Sequence, residues 1–271
     1  MTFALLLDDA AIFPPGNLPL DEAVAAHHAH LRAPYAGLVG PLVVSAAALP
    51  GLAGLPGLPG LAGLAGLAGA GPIEIAVVAP DAEAAAAALA GAPDGAPGGV
   101  RVVALEVTDG TDLRTVLGDP AGVTVFVEVP RDERRDAVIA ELVGTPYRAK
   151  LRTGGVRADL YPDEAELAAA VVALTRAGVP FKATAGLHHA LRNTDPDTGF
   201  EQHGFLNLLA ATDAAERGAD VDEVAAILAV RDHRQLPALP TGALLGSIGT
   251  CSITDPVDEL SALGLLPEGV R

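Results

Sequence analysis

Apolar positions fall into short, nearly continuous runs of Val, Ile and Leu at residues 3–8, 42–46, 73–79, 100–108, 123–129, 147–152, 181–185 and 247–253. Between them lie Ala-rich windows with helical spacing, at 20–31, 81–89, 134–142, 163–177, 204–217 and 221–230. Strands that are apolar throughout are covered on both faces, and strands alternating with helices pair in parallel through crossovers. Eight strands in roughly 250 residues is the proportion of a (β/α)8 barrel. The expected fold class is therefore α/β, a (β/α)8 TIM barrel in a single domain over residues 1–271. An open doubly wound sheet is the main competitor, but no glycine-rich dinucleotide fingerprint follows the first strand. One interval breaks the pattern. Glycine recurs at every third position from Gly51 to Gly69, with Leu after each but the last. It reads as a low-complexity Gly/Leu/Ala/Pro insertion at about 50–72, within the second βα connection and without chemistry of its own.

Composition narrows the function. Hydrophobic residues make up 50% of the chain and aromatics only 3%, so the core is built from Ala, Val and Leu. The net charge of −17 opposes nucleic-acid binding, and no basic stripe counters it. Cys251 is the single cysteine, which excludes a disulfide framework and a Cys-based zinc site. Residues 1–7 are apolar, lack a basic leader and run directly into Asp8 and Asp9, as a first strand would rather than a signal peptide. No uncharged run has the build of a membrane helix. A cytoplasmic protein without membrane partners is expected, and a homo-oligomer is left open.

Of the 17 basic residues, only Lys150 and Lys182 are lysine. Arginine stays protonated, whereas an amine can lose its proton and attack a carbonyl. Both lysines fall where a strand ends, and catalytic groups of a barrel gather at the C-terminal strand ends. Arg148, Lys150 and Arg152 share one face of the sixth strand, and Lys182 and Thr184 share one face of the seventh. If both faces point inward, repulsion and burial disfavour the charged amines and lower at least one pKa. Imine chemistry, simple anion binding and a structural role are the three readings of this pair.

The segments Lys150-Leu151-Arg152-Thr153-Gly154, Lys182-Ala183-Thr184-Ala185-Gly186 and Ile248-Gly249-Thr250-Cys251-Ser252 follow one another on strands six, seven and eight. In order and spacing this succession, over about 100 residues, resembles deoxyribose-phosphate aldolase and its class I aldolase relatives. The resemblance implies a divergent member in which Lys150 forms the imine and Lys182 lowers its pKa and assists proton transfer. It also implies that Gly249, Thr250 and Ser252 lie near a phosphate or carboxylate. Arg152 departs from the family's small serine, His188-His189 replaces a glycine-rich turn, and the family's fourth-strand acidic pattern is not intact.

Asp8, Asp9, Glu106 and Glu128 are the carboxylates at strand ends, each able to shuttle protons or to pair with Lys150 or Arg152. The loop 10–15 after the first strand is apolar and stiffened, suiting a pocket rim. His27, His28 and His30 read as a solvated face of the first helix. His188 and His189 top the seventh strand. His203 precedes a helix containing Asn207, across a polar loop able to act as a lid. Their expected roles are proton shuttle for His188 and substrate contact for His189, His203 and Asn207. A divalent metal on His188, His203 and Asp8 is the minor alternative, and no cofactor or resident metal is expected. Cys251 has no evident histidine partner and reads as a packed or pocket-lining residue.

The leading expectation is a Schiff-base aldolase-like lyase for a small anionic carbonyl metabolite. Its catalytic residues are Lys150, Lys182, Asp8, Glu128 and His188, with Arg152, Thr153, Gly154, Thr184, His189, His203, Asn207, Gly249, Thr250 and Ser252 around the substrate. A barrel isomerase, decarboxylase or hydrolase using His and carboxylate chemistry is the second, and a noncatalytic metabolite-binding barrel the third.

Overall fold

The computed structural model describes residues 3, 4, 6–53, 72–91, 99–239 and 244–266. Eight parallel strands close into a barrel: β1 (Leu7–Asp9), β2 (Val39–Ser45), β3 (Ile73–Ala79), β4 (Val100–Val107), β5 (Thr124–Glu128), β6 (Arg148–Arg152), β7 (Phe181–Thr184) and β8 (Leu245–Thr250). Each strand pairs with its sequence neighbours, and β1 closes the ring by pairing with β8, Asp8 standing opposite Gly249. Most expected strand ends hold to within two residues. Strand β1 differs most, running Leu7–Asp9 where 3–8 was expected.

The helices are α1 (Leu20–His30), α2 (Leu49–Ala53), α3 (Ala82–Ala90), α4 (Leu113–Val116), α5 (Arg135–Leu142), α6 (Glu164–Ala177), α7 (Phe205–Glu216), α8 (Val221–Leu228) and α9 (Thr254–Ala262). Several begin where a side chain satisfies an otherwise unpaired N–H. Asp163 accepts from Glu166 N at 2.8 Å at the start of α6, and Asp220 with Glu223 forms a capping box on α8. Gly178 ends α6 in the left-handed region at φ +64°, which an L side chain rarely adopts. Of the insertion at about 50–72, the first turn belongs to α2 and residues 54–71 lie outside those described.

Burial follows the strand alternation. One face of each strand joins the large apolar layer beneath the helices, as Leu42, Val44, Ile75, Val77, Leu105 and Val107 do. The other face points into the barrel, where Val43, Ala76, Ala104 and Phe126 form a small inner cluster with Ala10. Above that cluster the inward positions turn from apolar to charged. In this way the pleat places Glu106, Glu128, Lys150 and Lys182 on the axis.

Candidate active site

Register brings the charged residues to one level. Glu128 stands opposite Lys150, and Lys150 opposite Lys182, on three adjacent strands. Both lysines are buried, each with only 1% of its side chain exposed. Lys182 Nζ lies 2.5 Å from Asp8 Oδ2 and 2.5 Å from Glu106 Oε1, so it spans the barrel from β7 to β1 and β4. The Phe126 ring lies beneath it, its centroid 5.3 Å from Nζ. Lys150 Nζ lies 3.0 Å from Glu128 Oε2 and 3.4 Å from Glu106 Oε2. A single carboxylate, Glu106, therefore bridges the two ammonium groups. Arg152 completes the chain by donating from Nε and Nη2 to Glu128 at 3.2 and 3.4 Å, and Ser247 Oγ donates to Asp8 at 2.8 Å.

Three carboxylates thus face three cations. Burial alone would lower the Lys182 pKa, but Asp8 and Glu106 outweigh it and hold the amine above its ordinary value. For Lys182 this corrects the expectation that burial and a neighbouring lysine lower its pKa. The carboxylate between them screens their repulsion, and Lys182 stays protonated. Burial pushes Glu106 and Glu128 up, yet Lys182 and Lys150 on the first and Lys150 and Arg152 on the second pull both below the usual carboxylate range. Asp8 goes the other way, raised by burial that Lys182 offsets only in part.

A cleft of about 260 Å³ opens at the C-terminal mouth of the barrel. Lys150 and Glu106 border it, with Arg152, Thr184, His188, Gly249 and Cys251 around the wall. Phe13 and Pro14 from the loop after β1 form part of its rim, as their sequence suggested. Lys182 does not border the cleft, although the two lysines are equally buried. A much smaller hollow of about 20 Å³ lies outside the barrel, near Arg131, Arg135 and Glu166.

Several other candidate residues lie elsewhere. Thr153 is buried and donates its hydroxyl to the Ala185 carbonyl at 2.6 Å, bracing the ends of β6 and β7. Gly154 lies against Tyr161 and Gly186, where a Cβ would come within 2.7 Å of the ring. Asn207 is fully engaged with backbone: it accepts from Arg192 N at 2.9 Å and donates to the Ile227 and Val230 carbonyls at 2.9 and 2.7 Å. His203 is buried against the Pro162 carbonyl, its Nε2 at 2.8 Å, and burial lowers its pKa to about 4. His189 pairs with Glu259 at 2.6 Å. None of His189, His203 and Asn207, expected as substrate contacts, borders the cleft, and each is bonded to other parts of the chain. The polar loop is a two-stranded ribbon, Asn193–Thr194 with Glu201–Gln202, tied to Arg231 through Glu201. None of its residues borders the cleft either.

In the strand-eight segment Gly249 borders the cleft, and Thr184 Oγ1 lies 2.8 Å from where its Cβ would be. Thr250 and Ser252 satisfy each other, with Thr250 Oγ1 donating to the Ser252 carbonyl at 2.9 Å and accepting from Ser252 N at 3.3 Å. Ser252 Oγ accepts from Asp255 N at 3.3 Å at the start of α9.

Two histidine readings are corrected. His27 and His28 are buried, and His27 Nδ1 sits 3.0 Å from Asp9 Oδ2 behind the β1 wall. The signal was present in the chain: Ala23 and His27, and Val24 and His28, are i, i+4 pairs on the buried stripe of α1. Cys251 does have a histidine neighbour, for its Sγ lies 3.5 Å from His188 Nδ1. Burial lowers the His188 pKa and raises that of Cys251, so both are held neutral rather than as an ion pair. Among the described residues no group of three or more His, Cys, Asp or Glu is arranged to hold a metal ion, and His188, His203 and Asp8 do not converge. No described helix is long and apolar enough to cross a membrane.

The fold defines the chain as a (β/α)8 barrel with a charged floor at its C-terminal mouth. Searches against protein-family models and against curated proteins return no match.

Proposed function

We propose that this barrel is a lysine-dependent lyase that cleaves a small carboxylated or phosphorylated β-hydroxy carbonyl compound through an imine on Lys150. What carries this reading is the contrast between the two amines. Lys150 borders the cleft, whereas Lys182 does not and lies between Asp8 and Glu106. An imine needs a neutral amine in contact with substrate. Glu128, 3.0 Å away, is the acceptor for the Lys150 proton. The free amine adds to the carbonyl carbon with one amine proton passing to the oxygen, and the proton held by Glu128 then goes with that hydroxyl as water, leaving a protonated imine. Removal of the β-hydroxyl proton breaks the adjacent carbon–carbon bond, and its electron pair moves to the imine nitrogen to give a neutral enamine. An aldehyde leaves, the enamine carbon takes the proton removed from the β-hydroxyl, and water hydrolyses the resulting imine, releasing the second carbonyl product and restoring the amine. Glu106 and Glu128 are the proton carriers at the floor, and the fixed charge of Lys182 keeps Glu106 ionised and aimed at Lys150.

Borohydride reduction in the presence of candidate aldehydes and ketones tests this. A mass increase equal to the reduced carbonyl compound, lost in Lys150→Arg, is the expected result. Turnover of a substrate without any trapped adduct sinks it. That second outcome favours an isomerase, decarboxylase or hydrolase centred on His188, a neutral imidazole in the cleft wall.

A further inference from the structure

Among the described residues the cleft offers positive charge at two places, Lys150 and Arg152, and each is already faced by a carboxylate. A phosphate dianion brought here would add two negative charges to a floor that is balanced. The strand-eight segment does not relieve this, because the Thr250 and Ser252 groups bond one another and Asp255 follows at the start of α9. Arg152, in contrast, keeps capacity. Its Nε and Nη2 face Glu128, no hydrogen bond from Nη1 is formed among the described residues, and the side chain is 36% exposed. The outer Nη1/Nη2 edge of the guanidinium is thus a free fork of the shape that a carboxylate fills with two parallel bonds. Glu128 touches both Arg152 and Lys150, which puts that fork beside the amine. Phe13, Val43, Val78, Val156 and Leu160 make much of the remaining wall apolar, with Glu106, Thr184 and His188 as its other polar members.

We infer that the substrate of this site is a 2-oxo acid, with one carboxylate on Arg152, the adjacent carbonyl carbon at Lys150 and an apolar remainder against Phe13, Val43 and Leu160. This rests on the imine reading for its chemistry and narrows it to carboxylated over phosphorylated compounds. The carboxylate is set next to the carbonyl because Lys150 and Arg152 both contact Glu128, at 3.0 and 3.2 Å.

The test compares three probes on the full chain: 2-oxopentanoate, the neutral ketone pentan-2-one, and dihydroxyacetone phosphate. Each is reduced onto the protein with cyanoborohydride at equal concentration and read by intact mass, with calorimetric binding measured in parallel. Trapping of 2-oxopentanoate is expected at least ~10-fold above either other probe, equivalent to about 1.4 kcal/mol of recognition. In Arg152→Gln the ratio of 2-oxopentanoate to pentan-2-one should fall to near one, and Arg152→Lys should keep part of it. A preference for dihydroxyacetone phosphate, or an unchanged ratio in Arg152→Gln, overturns the inference. If no probe is trapped but 2-oxopentanoate binds in an Arg152-dependent way, the substrate class stands and the imine falls. If it neither binds nor reacts, the inference falls with it.

Discussion

Removing the Lys182 ammonium should be among the most damaging single changes in the barrel, because its nitrogen is the common partner of two buried carboxylates. In Lys182→Met the methylene stem is largely kept, so the packing loss is small. Asp8 and Glu106, each 2.5 Å from the lost nitrogen, are left facing one another without it. Breaking a buried pair by deleting one partner costs about 3–5 kcal/mol, because the remaining charge stays desolvated. At about 2–4 °C per kcal/mol for a chain of this size, thermal unfolding should move down by about 6–20 °C. The effect should also depend on pH. Without Lys182, Asp8, already raised by burial, titrates higher still, while its unfolded value stays near the ordinary one. The folded variant then binds a proton that the unfolded chain does not, so its deficit shrinks as pH falls from 7.5 to 5. Asp8→Asn combined with Lys182→Met should recover part of the loss, whereas two independent sites would add. Circular dichroism melts of the single and double variants at both pH values decide it. A loss below about 1 kcal/mol, the range of a surface pair, or an equal deficit at both pH values refutes the reasoning.

Three further outcomes are expected. His203 should contribute a loss of about 3 kcal/mol of stability as pH drops from 6.5 to 4, because the unfolded chain protonates it near 6.5 while burial holds the folded value at about 4. Urea titrations across that window should show this slope flattened in His203→Gln. Asn207→Ala removes three backbone contacts and should cost about 2–4 kcal/mol while leaving carbonyl trapping at Lys150 in place, so a large trapping loss with an unchanged melting temperature would return Asn207 to the site. Gly204→Ala should be strongly destabilising, since the new Cβ would meet the Leu191 backbone with no flexible atom to yield, and an unchanged melt would contradict the packing there.

The barrel was legible because its cause is local and repeated. Val- and Ile-rich runs between Ala-rich helices leave few other arrangements, and the same alternation that buries Leu105 on one face turns Glu106 to the other. That period put Lys150 with Arg152, and Lys182 with Thr184, on shared faces, and closure of the barrel turns those faces inward. The electrostatics of the two lysines did not follow from that period, because they depend on who stands across the barrel. Glu106 on β4 reaches Lys182 on β7, 76 residues away, and no spacing in the chain marks that contact. The same holds for Cys251 and His188, which meet only because the ends of β7 and β8 are adjacent in space. His203 and Asn207 misled for a different reason. Polar residues beyond a strand end look like site residues, yet here they satisfy carbonyl and amide groups between α7, α8 and the loop at Pro162. The buried stripe of α1 was marked by the i, i+4 pairs of Ala23 with His27 and Val24 with His28, but alanine on its other faces weakens the contrast.

With only two lysines in the chain, one experiment separates their surroundings directly. Reductive methylation with ¹³C-formaldehyde gives each modified amine its own NMR signal, and peptide mass mapping assigns them. The amine that borders the cleft should be methylated first, so Lys150 is expected to label well before Lys182, which should stay protected until the barrel unfolds. Equal rates at the two positions, or Lys182 labelling first in the folded protein, would contradict the division of roles between the two amines.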